Sequence, residues 1–342
     1  MAPQNTNPDT TDCSQHECPF TVSQLVAAMA SENDILDRTT GASEEEQTSF
    51  ADTIQQYWEA GPSKRFLCSL VRNYIRQLGE HNVQSEALWN LLLLALQQRH
   101  SEIPDPHQSC YVTFSMPTQQ QKQLTVRIYP YHNDVALRIW EAGAVLAEFL
   151  LQHPEWVAHQ TVVELGAGVG LTSLVAAACS ASHVYCTDFT EVCLQNLQHN
   201  IERNQLDCTI SCGYLEWEAF GNYQEASDPR LQESCEKIAQ ANLLIAADVV
   251  YDVCAIPSLV KTFQRFFSDS DKDDDSKTIL LASTMRRRET FAVLQDELKA
   301  KGIDCNVVAD GDYYAELPLV FPMNFVQPRK DVNIYVLKIG KG

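Results

Sequence analysis

The sequence lacks any uncharged apolar run that approaches the roughly 20 residues of a membrane-spanning helix. Its first residues, MAPQNTNPDTTDCSQHE, lack the basic start and the apolar stretch of a secretory signal. We therefore expect a cytoplasmic protein with no membrane partner. Basic residues are also scarce, because 25 Lys and Arg stand against 45 Asp and Glu, which gives a net charge of −20. Since this charge opposes a phosphate backbone, we expect no direct nucleic-acid partner.

Metal-ligand spacing is also lacking. The nearest approaches are Cys208 with Cys212 and the group Cys13, His16 and Cys18. Neither has a second pair of ligands at zinc-finger spacing, so we expect no metal site. Most of the 12 cysteines are expected to be reduced thiols, because many fall in predicted buried elements of a chain without an export signal.

The 342 residues are long enough for about two domains. Residues 1–20 offer almost nothing to bury and are expected to form a disordered tail. Residues 21–105 carry apolar side chains at helical spacing, with Gly79 placed to end one helix, and this pattern predicts a helical N-terminal module. Residues 106–342 begin with two alternating stretches that predict a β-hairpin, followed by the main domain.

From residue 161 onward, predicted strands and helices alternate. This alternation predicts an α/β fold, a parallel sheet with helices on both faces, whose ligand lies at the carboxyl ends of the first strands. The acidic stretch at residues 268–277, SDSDKDDDSK, is expected to be a solvated, flexible loop.

Residues 161–172, TVVELGAGVGLT, predict a buried strand, a tight turn and a helix. The glycines at 166, 168 and 170 let backbone approach a ligand where a Cβ atom would collide. A dinucleotide-binding turn needs a further glycine where this chain has Leu171, so NAD is disfavoured. A phosphate-binding Walker loop ends in Gly-Lys-Ser/Thr, and the turn has no lysine, so ATP is disfavoured as well.

The remaining pattern, E-x-G-x-G-x-G, resembles motif I of the class I, S-adenosylmethionine-dependent methyltransferases. In this interpretation Glu164 binds the cationic amino group of the methionine part. Asp188, at the end of the next strand HVYCTD, binds both ribose hydroxyls. The alternative is that both acids merely cap helices.

The match extends downstream, where ADVVY at residues 247–251 resembles the post-motif II signature of the seven-strand protein-lysine methyltransferases. Trp140 in WEA and Trp217 in LEW also fit that group, which implies that a tryptophan packs against adenine; either could instead be plain core. The resemblance implies a seven-strand, Rossmann-like methyltransferase sheet with S-adenosylmethionine as cofactor. It implies cofactor contacts from Trp140, Glu164, Gly166, Ala167, Gly168, Gly170, Asp188, Trp217 and Ala247.

The whole layout is similar to the eukaryotic elongation factor 2 lysine methyltransferases, so the resemblance implies a protein-lysine N-methyltransferase. The implied partner is a protein substrate, elongation factor 2 or another translation-related protein, and we expect a monomer. We hypothesise that Asp248 and Tyr251 are catalytic: Asp248 accepts a hydrogen bond from the incoming amine, and Tyr251 forms part of an aromatic channel.

Alternatives remain at this stage. Arg286, Arg287 and Arg288 are interpreted as a solvated helix start in preference to a substrate contact. The domain could methylate a small molecule, since a fold does not fix a function. The chain could also be a non-catalytic scaffold that binds a partner through residues 22–99.

Overall fold

The computed structural model describes residues 20–39, 41, 43–98, 104–118, 123–221, 228–268, 277–315 and 319–340. The predicted disordered tail, apart from Phe20, and most of the acidic stretch lie outside these residues. Within the described part, no helix is both long enough and apolar enough to cross a membrane.

The N-terminal part of the described chain is helical, as predicted. Its helices bury their apolar faces in a core of their own, which includes Leu70 and Tyr74. Gly79, at φ +79°, ends one of them as predicted. The domain boundaries themselves stay a prediction. The helices are α1 (Val22–Ala27), α2 (Glu32–Leu36), α3 (Glu44–Tyr57), α4 (Lys64–Leu78) and α5 (Glu86–Gln97).

An antiparallel hairpin follows, and then a seven-stranded sheet. The hairpin strands are β1 (Cys110–Ser115) and β2 (Gln123–Ile128). The sheet strands are β3 (Thr161–Leu165), β4 (His183–Asp188), β5 (Thr209–Tyr214), β6 (Leu243–Ala247), β7 (Thr278–Thr284), β8 (Ile303–Ala309) and β9 (Val332–Ile339). Their order in the sheet is β5-β4-β3-β6-β7-β9-β8.

The first five sheet strands are parallel, but β9 is antiparallel to both of its neighbours. The prediction of a wholly parallel sheet is therefore wrong for β9. In the described part of the connection from β8 to β9 the helical segments are all short, so the chain reverses instead of crossing over the sheet. The seven-strand order with this one reversed strand confirms the methyltransferase-like sheet.

Helices cover both faces of the sheet, and each face has its own hydrophobic core. Because side chains alternate along a strand, Val162 of β3 lies in one core, and Val163 and Leu165 lie in the other. The helices are α6 (Glu141–Gln152), α7 (Leu171–Ala178), α8 (Glu191–Asn204), α9 (Trp217–Gly221), α10 (Pro229–Ala239), α11 (Ile256–Ser268), α12 (Arg288–Ala300) and α13 (Gly311–Ala315). Short 3-10 helices span Glu80–Asn82, Val135–Leu137, Pro154–Trp156 and Arg329–Asp331.

Three buried asparagines, each one turn further along α8, join the hairpin to the main domain. Asn204 and Asn200 accept hydrogen bonds from the backbone of β2, at Thr125 (2.9 Å) and Arg127 (2.8 Å). Asn196 and Asn200 donate to the Arg127 carbonyl (3.1 and 3.2 Å). The side chains therefore satisfy an edge of β2 that would otherwise need another strand.

Candidate active site

The glycine turn after β3 brings its backbone close to Ala136 and Val249. Gly166 and Gly168 have φ values of +63° and +55°, in the left-handed region. A Cβ on Gly168 would lie 3.0 Å from the Ala136 carbonyl oxygen, and one on Gly166 would lie 3.0 Å from Val249 Cγ1. The left-handed conformation therefore favours glycine, and a Cβ at either position would force its neighbour to move by a few tenths of an ångström.

Gly170 has a different role from the other two. It has φ +86° and is the N-cap of α7, where a Cβ would overlap the Leu197 side chain. It does not line the cavity described below. The structure therefore places Gly170 as a turn and packing residue, and the predicted cofactor contact for it stays a prediction.

A cavity of about 480 Å³ opens at the carboxyl ends of β3, β4 and β6. Apart from Gly170, every residue that the sequence indicated for the cofactor lines it: Trp140, Glu164, Gly166, Ala167, Gly168, Asp188, Trp217 and Ala247. Asp248 and Tyr251 line it too. Distant segments therefore meet at one site, at the sheet edge where parallel strands end.

Glu164, near the end of β3, is 2% exposed and accepts a hydrogen bond from the Ser173 hydroxyl. Burial raises the pKa of its carboxyl to about 7, although the bonds from Ser173 and Thr172 act in the opposite direction. A buried carboxylate of this kind is stabilised by a cation, and Glu164 therefore suits a positively charged ligand group.

Asp188 ends β4 and accepts hydrogen bonds from the backbone N–H of Gly168 (3.1 Å) and of Phe189 (2.8 Å). Burial raises the pKa of its carboxyl, and these bonds lower it. Helix capping is not the role of either acid, because α8 is capped by the Thr190 hydroxyl and α7 begins at Gly170 without a side-chain cap. Asp188 instead joins the ends of β3 and β4.

The two predicted tryptophans lie on the cavity wall. The Trp140 indole N–H donates to the Val135 carbonyl (2.8 Å), which fixes the ring beside the 3-10 turn. Trp217 begins α9, and the ring lies 3.5 Å from where a Cβ on Gly166 would be. Both rings are partly buried and contribute to the lining, so each wall has a flat aromatic surface.

Asp248 follows β6 in the left-handed region, with φ +54°. Its carboxylate accepts bonds from the Thr284 N–H (3.2 Å) and hydroxyl (3.1 Å) and from the Ala142 N–H (3.2 Å). Arg286 donates two more, at 3.0 and 3.3 Å. A carboxylate has about four acceptor positions, so these five donors occupy its hydrogen-bonding capacity.

Arg286 is exposed and lies just before α12, as the sequence favoured, but it also forms ion pairs that the sequence did not indicate. It pairs with Glu141 (3.0 Å) and Asp248 (3.0 Å), and its guanidinium carbon lies 5.4 Å from the centre of the Trp140 ring. These partners are far away in sequence, which is why the triple-arginine run gave no indication of them. Arg287 and Arg288 are exposed, as expected.

Two further wall elements were missed by the sequence analysis. Phe189 follows Asp188 directly and is 60% exposed although it lines the cavity. Its position after a strand-ending acid was the available signal. The 3-10 turn Val135–Leu137 forms the wall opposite the glycines, and its N-cap Asp134 accepts a bond from the Thr190 hydroxyl (3.2 Å). No periodicity marks such a short turn.

The charges of the lining suit S-adenosylmethionine, which is a cation. Among the described lining residues only Arg138 is basic. The acidic lining residues come from several elements and are Asp134, Glu164, Asp188, Glu216, Glu218, Asp248 and Asp252. The glycine backbone offers close approach without a lysine to neutralise a phosphate. The residues therefore fit an uncharged nucleoside joined to a cationic methionine part.

Comparison with known proteins identifies the family. Residues 118–297 match the profile of the lysine methyltransferase family. A protein-lysine N-methyltransferase, EFM3, from Chaetomium thermophilum is 26% identical over 66% of this chain and 67% of its own. The protein-lysine N-methyltransferase EEF2KMT is 26% identical in Bos taurus, over 70% of this chain and 72% of its own. Its Homo sapiens counterpart is 28% identical over 50% and 52%.

The chain belongs to the lysine methyltransferase family. It is an S-adenosylmethionine-dependent protein-lysine methyltransferase. Glu164, Gly166, Gly168, Asp188 and the two tryptophans line the cavity, and their contacts with that cofactor stay a prediction.

The raised pKa of Glu164 predicts a pH dependence of cofactor binding. Only the ionised carboxylate attracts a cation, so affinity is expected to fall by up to about tenfold as the pH is lowered from about 8 to about 6. Because folding raises this pKa, the contribution of Glu164 to stability is present below about pH 4.5 and is lost as pH rises through about 7. Because binding is expected to be tighter at pH 8 than at pH 6, S-adenosylmethionine should stabilise the protein more at pH 8. Calorimetry and thermal unfolding at each pH measure both effects; a pH-independent affinity would contradict the assignment.

Proposed function

We propose that this enzyme methylates a lysine of elongation factor 2 or of another translation-related protein in the cytoplasm. The support comes from the layout of the sequence, from the EFM3 and EEF2KMT relatives, and from the mouth of the cavity. No component of the proposal requires a second copy of the chain.

The mouth of the cavity is the observation that carries the proposal. Phe189 and Tyr251 line it and are 60% and 58% exposed, and the exposed carboxylates of Glu216 and Asp252 line the same cavity. A lysine has an apolar stem and a cationic end, so aromatic and acidic groups at one opening match both parts. Large apolar side chains left open at a charged rim are typical of a surface that meets another macromolecule.

The chemistry requires a neutral amine in line with the methyl donor. S-adenosylmethionine supplies a methyl group on a sulfonium. A lysine amine has an ordinary pKa near 10.4 and must lose its proton before it attacks. The walls therefore have to orient the amine and exclude water rather than supply a strong base.

We assign Tyr251 to the acceptor channel. The prediction that Asp248 binds the amine directly stays a prediction. The five donors from its own chain favour a different contribution, in which Asp248 fixes the turn that carries Val249 and Tyr251 into the cavity wall.

The proposal is tested by incubating the protein with S-adenosylmethionine labelled at the methyl group, first with a cell extract and then with purified elongation factor 2. Label in elongation factor 2 supports that protein as the acceptor. Label in a different discrete protein would identify that protein as the acceptor instead. Labelled small molecules would favour the small-molecule alternative. Cofactor binding without any methyl transfer, or no cofactor binding, would favour the alternative of a non-catalytic scaffold.

Tyr251→Ala is expected to lower kcat/KM for the protein acceptor by about tenfold, or about 1.4 kcal/mol, because the contact of a cation with an aromatic ring is worth about 0.5–1 kcal/mol when exposed and about 2 kcal/mol when the acceptor desolvates it. The dissociation constant for S-adenosylmethionine should change little. Val253→Ala is the matched control, since Val253 is 47% exposed two residues away and does not line the cavity. Equal losses in both variants would refute a channel role for Tyr251.

A further inference from the structure

Arg286 forms the centre of a polar cluster behind the cavity wall. Its Nη1 donates to Asp248 Oδ1 (3.0 Å), and its Nη2 donates to Glu141 Oε2 (3.0 Å) and Asp248 Oδ2 (3.3 Å). The two acceptor side chains are 3% and 6% exposed, whereas the arginine side chain is 31% exposed. One guanidinium therefore bridges two buried carboxylates.

The cluster joins segments that lie far apart in the sequence. Asp248 accepts from Ala142, at the start of α6, and from Thr284, at the end of β7. The second oxygen of Glu141 accepts from the backbone N–H of Gln327 (2.8 Å). The beginning of α6, the turn after β6, the end of β7 and the segment before β9 are thus held together at one point.

Arg286 itself is not among the described residues that line the cavity, but Trp140 and Asp248 are. The guanidinium lies 5.4 Å from the centre of the Trp140 ring, a distance at which a cation is attracted to the face of an indole. Any influence of Arg286 on the site must therefore be transmitted through these two wall residues.

We propose that Arg286 is a positioning residue of the methyl-transfer site, which fixes Trp140 and the Asp248 turn as adjacent walls of the cofactor cavity. This proposal adds a residue to the family's enzyme and does not depend on the identity of the acceptor, because its test measures cofactor binding alone. Arginine suits the task because its planar fork donates to both carboxylates in one fixed geometry, whereas a lysine ammonium is a point charge on a flexible stem.

The electrostatic part of the argument makes the proposal specific. With Arg286 present, two carboxylates share one positive charge. Arg286→Gln would leave two like charges close together and largely out of water, and they would repel each other. The wall residues would then separate. Adding Glu141→Gln to that variant removes one of the two charges and relieves the repulsion.

The test compares three variants: Arg286→Gln, Arg286→Lys and the double variant Glu141→Gln/Arg286→Gln. The control is Arg287→Gln, because Arg287 is the next residue in the chain and is exposed. Calorimetry gives the dissociation constant for S-adenosylmethionine, at a temperature where circular dichroism shows every variant folded. Coupling through a polar cluster changes affinity severalfold, so Arg286→Gln is expected to weaken binding about fivefold, while Arg287→Gln leaves it unchanged. Arg286→Lys should lie between wild type and Arg286→Gln.

The double variant separates positioning from a merely structural role. If the charges position the wall, it should bind S-adenosylmethionine more tightly than Arg286→Gln alone; a structural role predicts added losses. Affinity in Arg286→Gln equal to that in Arg287→Gln, or a double variant weaker than the single one, would overturn the proposal. If Arg286→Gln does not fold, Arg286→Lys against Arg287→Lys decides, with a loss expected only in the former. Binding needs no acceptor, so failure to label a protein would affect the proposed function and not this result.

Discussion

Glu164→Gln is expected to weaken S-adenosylmethionine binding by about 50-fold. The charge that attracts the methionine amino group is removed while the shape of the side chain is kept. A hydrogen bond to a charged group is worth about 1.5–3 kcal/mol, which corresponds to about 10- to 150-fold in affinity. The bond to Ser173 survives in the amide, and the unbound variant should be at least as stable as wild type near pH 8, because no buried carboxylate must ionise there. Calorimetry and thermal unfolding measure the two quantities.

The chain offers a matched control in Glu148, another glutamate that is 2% exposed. It accepts from the backbone N–H groups of Val320 (2.7 Å) and Phe321 (3.0 Å) and pairs with Arg329, away from the cavity lining. Glu148→Gln should leave Arg329 without its charged partner and leave cofactor affinity unchanged. If both variants lost affinity equally, Glu164 would act through folding and not through the ligand.

Gly168→Ala is expected to weaken S-adenosylmethionine binding by about 30-fold and to lower the free energy of unfolding. Its φ of +55° costs an alanine about 1–2 kcal/mol, and its Cβ would lie 3.0 Å from the Ala136 carbonyl oxygen. Two backbone segments that form opposite walls of the cavity would then have to separate. The Ala136 carbonyl would have to move by a few tenths of an ångström, which changes the spacing of the two walls, so the effect on affinity should exceed that of the strain alone.

Gly302 isolates the strain from the displacement. It has φ +66°, close to that of Gly168, and a Cβ there would meet nothing within 4 Å. Gly302→Ala should therefore lose a similar amount of stability and bind S-adenosylmethionine like wild type. Titration calorimetry and chemical denaturation of both variants make the comparison. Normal affinity in Gly168→Ala would mean that the close approach of the turn to Ala136 does not shape the cofactor site.

The core of the site could be predicted because its signals are local. A strand, a left-handed turn and a helix are encoded by adjacent residues, so the placement of Glu164, Gly166 and Gly168 at the site could be predicted from one short segment. Asp188 was readable because an acid at the end of the following parallel strand must lie at the same sheet edge. Trp140 and Trp217 were indicated by family resemblance, and the structure places both on the cavity wall.

What the sequence could not supply are contacts between segments that no local pattern connects. Arg286 stands in a run of three arginines that all look alike, and only folding places it against Glu141 and Asp248. In the same way, nothing near Asp248 indicates that Thr284 and Ala142 donate to its carboxylate. Their meeting depends on how strands and helices pack.

By itself, then, the sequence determined the alternation of strands and helices, the glycine turn and the acids at the strand ends, because residue period and backbone freedom are properties of short segments. The tertiary structure decided which groups remain available to ligands. It assigned Gly170 to packing, engaged the Asp248 carboxylate with its own chain, reversed β9 and left Phe189 and Tyr251 open at the mouth of the cavity. Hydrogen-bonding capacity and exposure depend on all the neighbours in space, and so they are fixed only when the whole chain is folded.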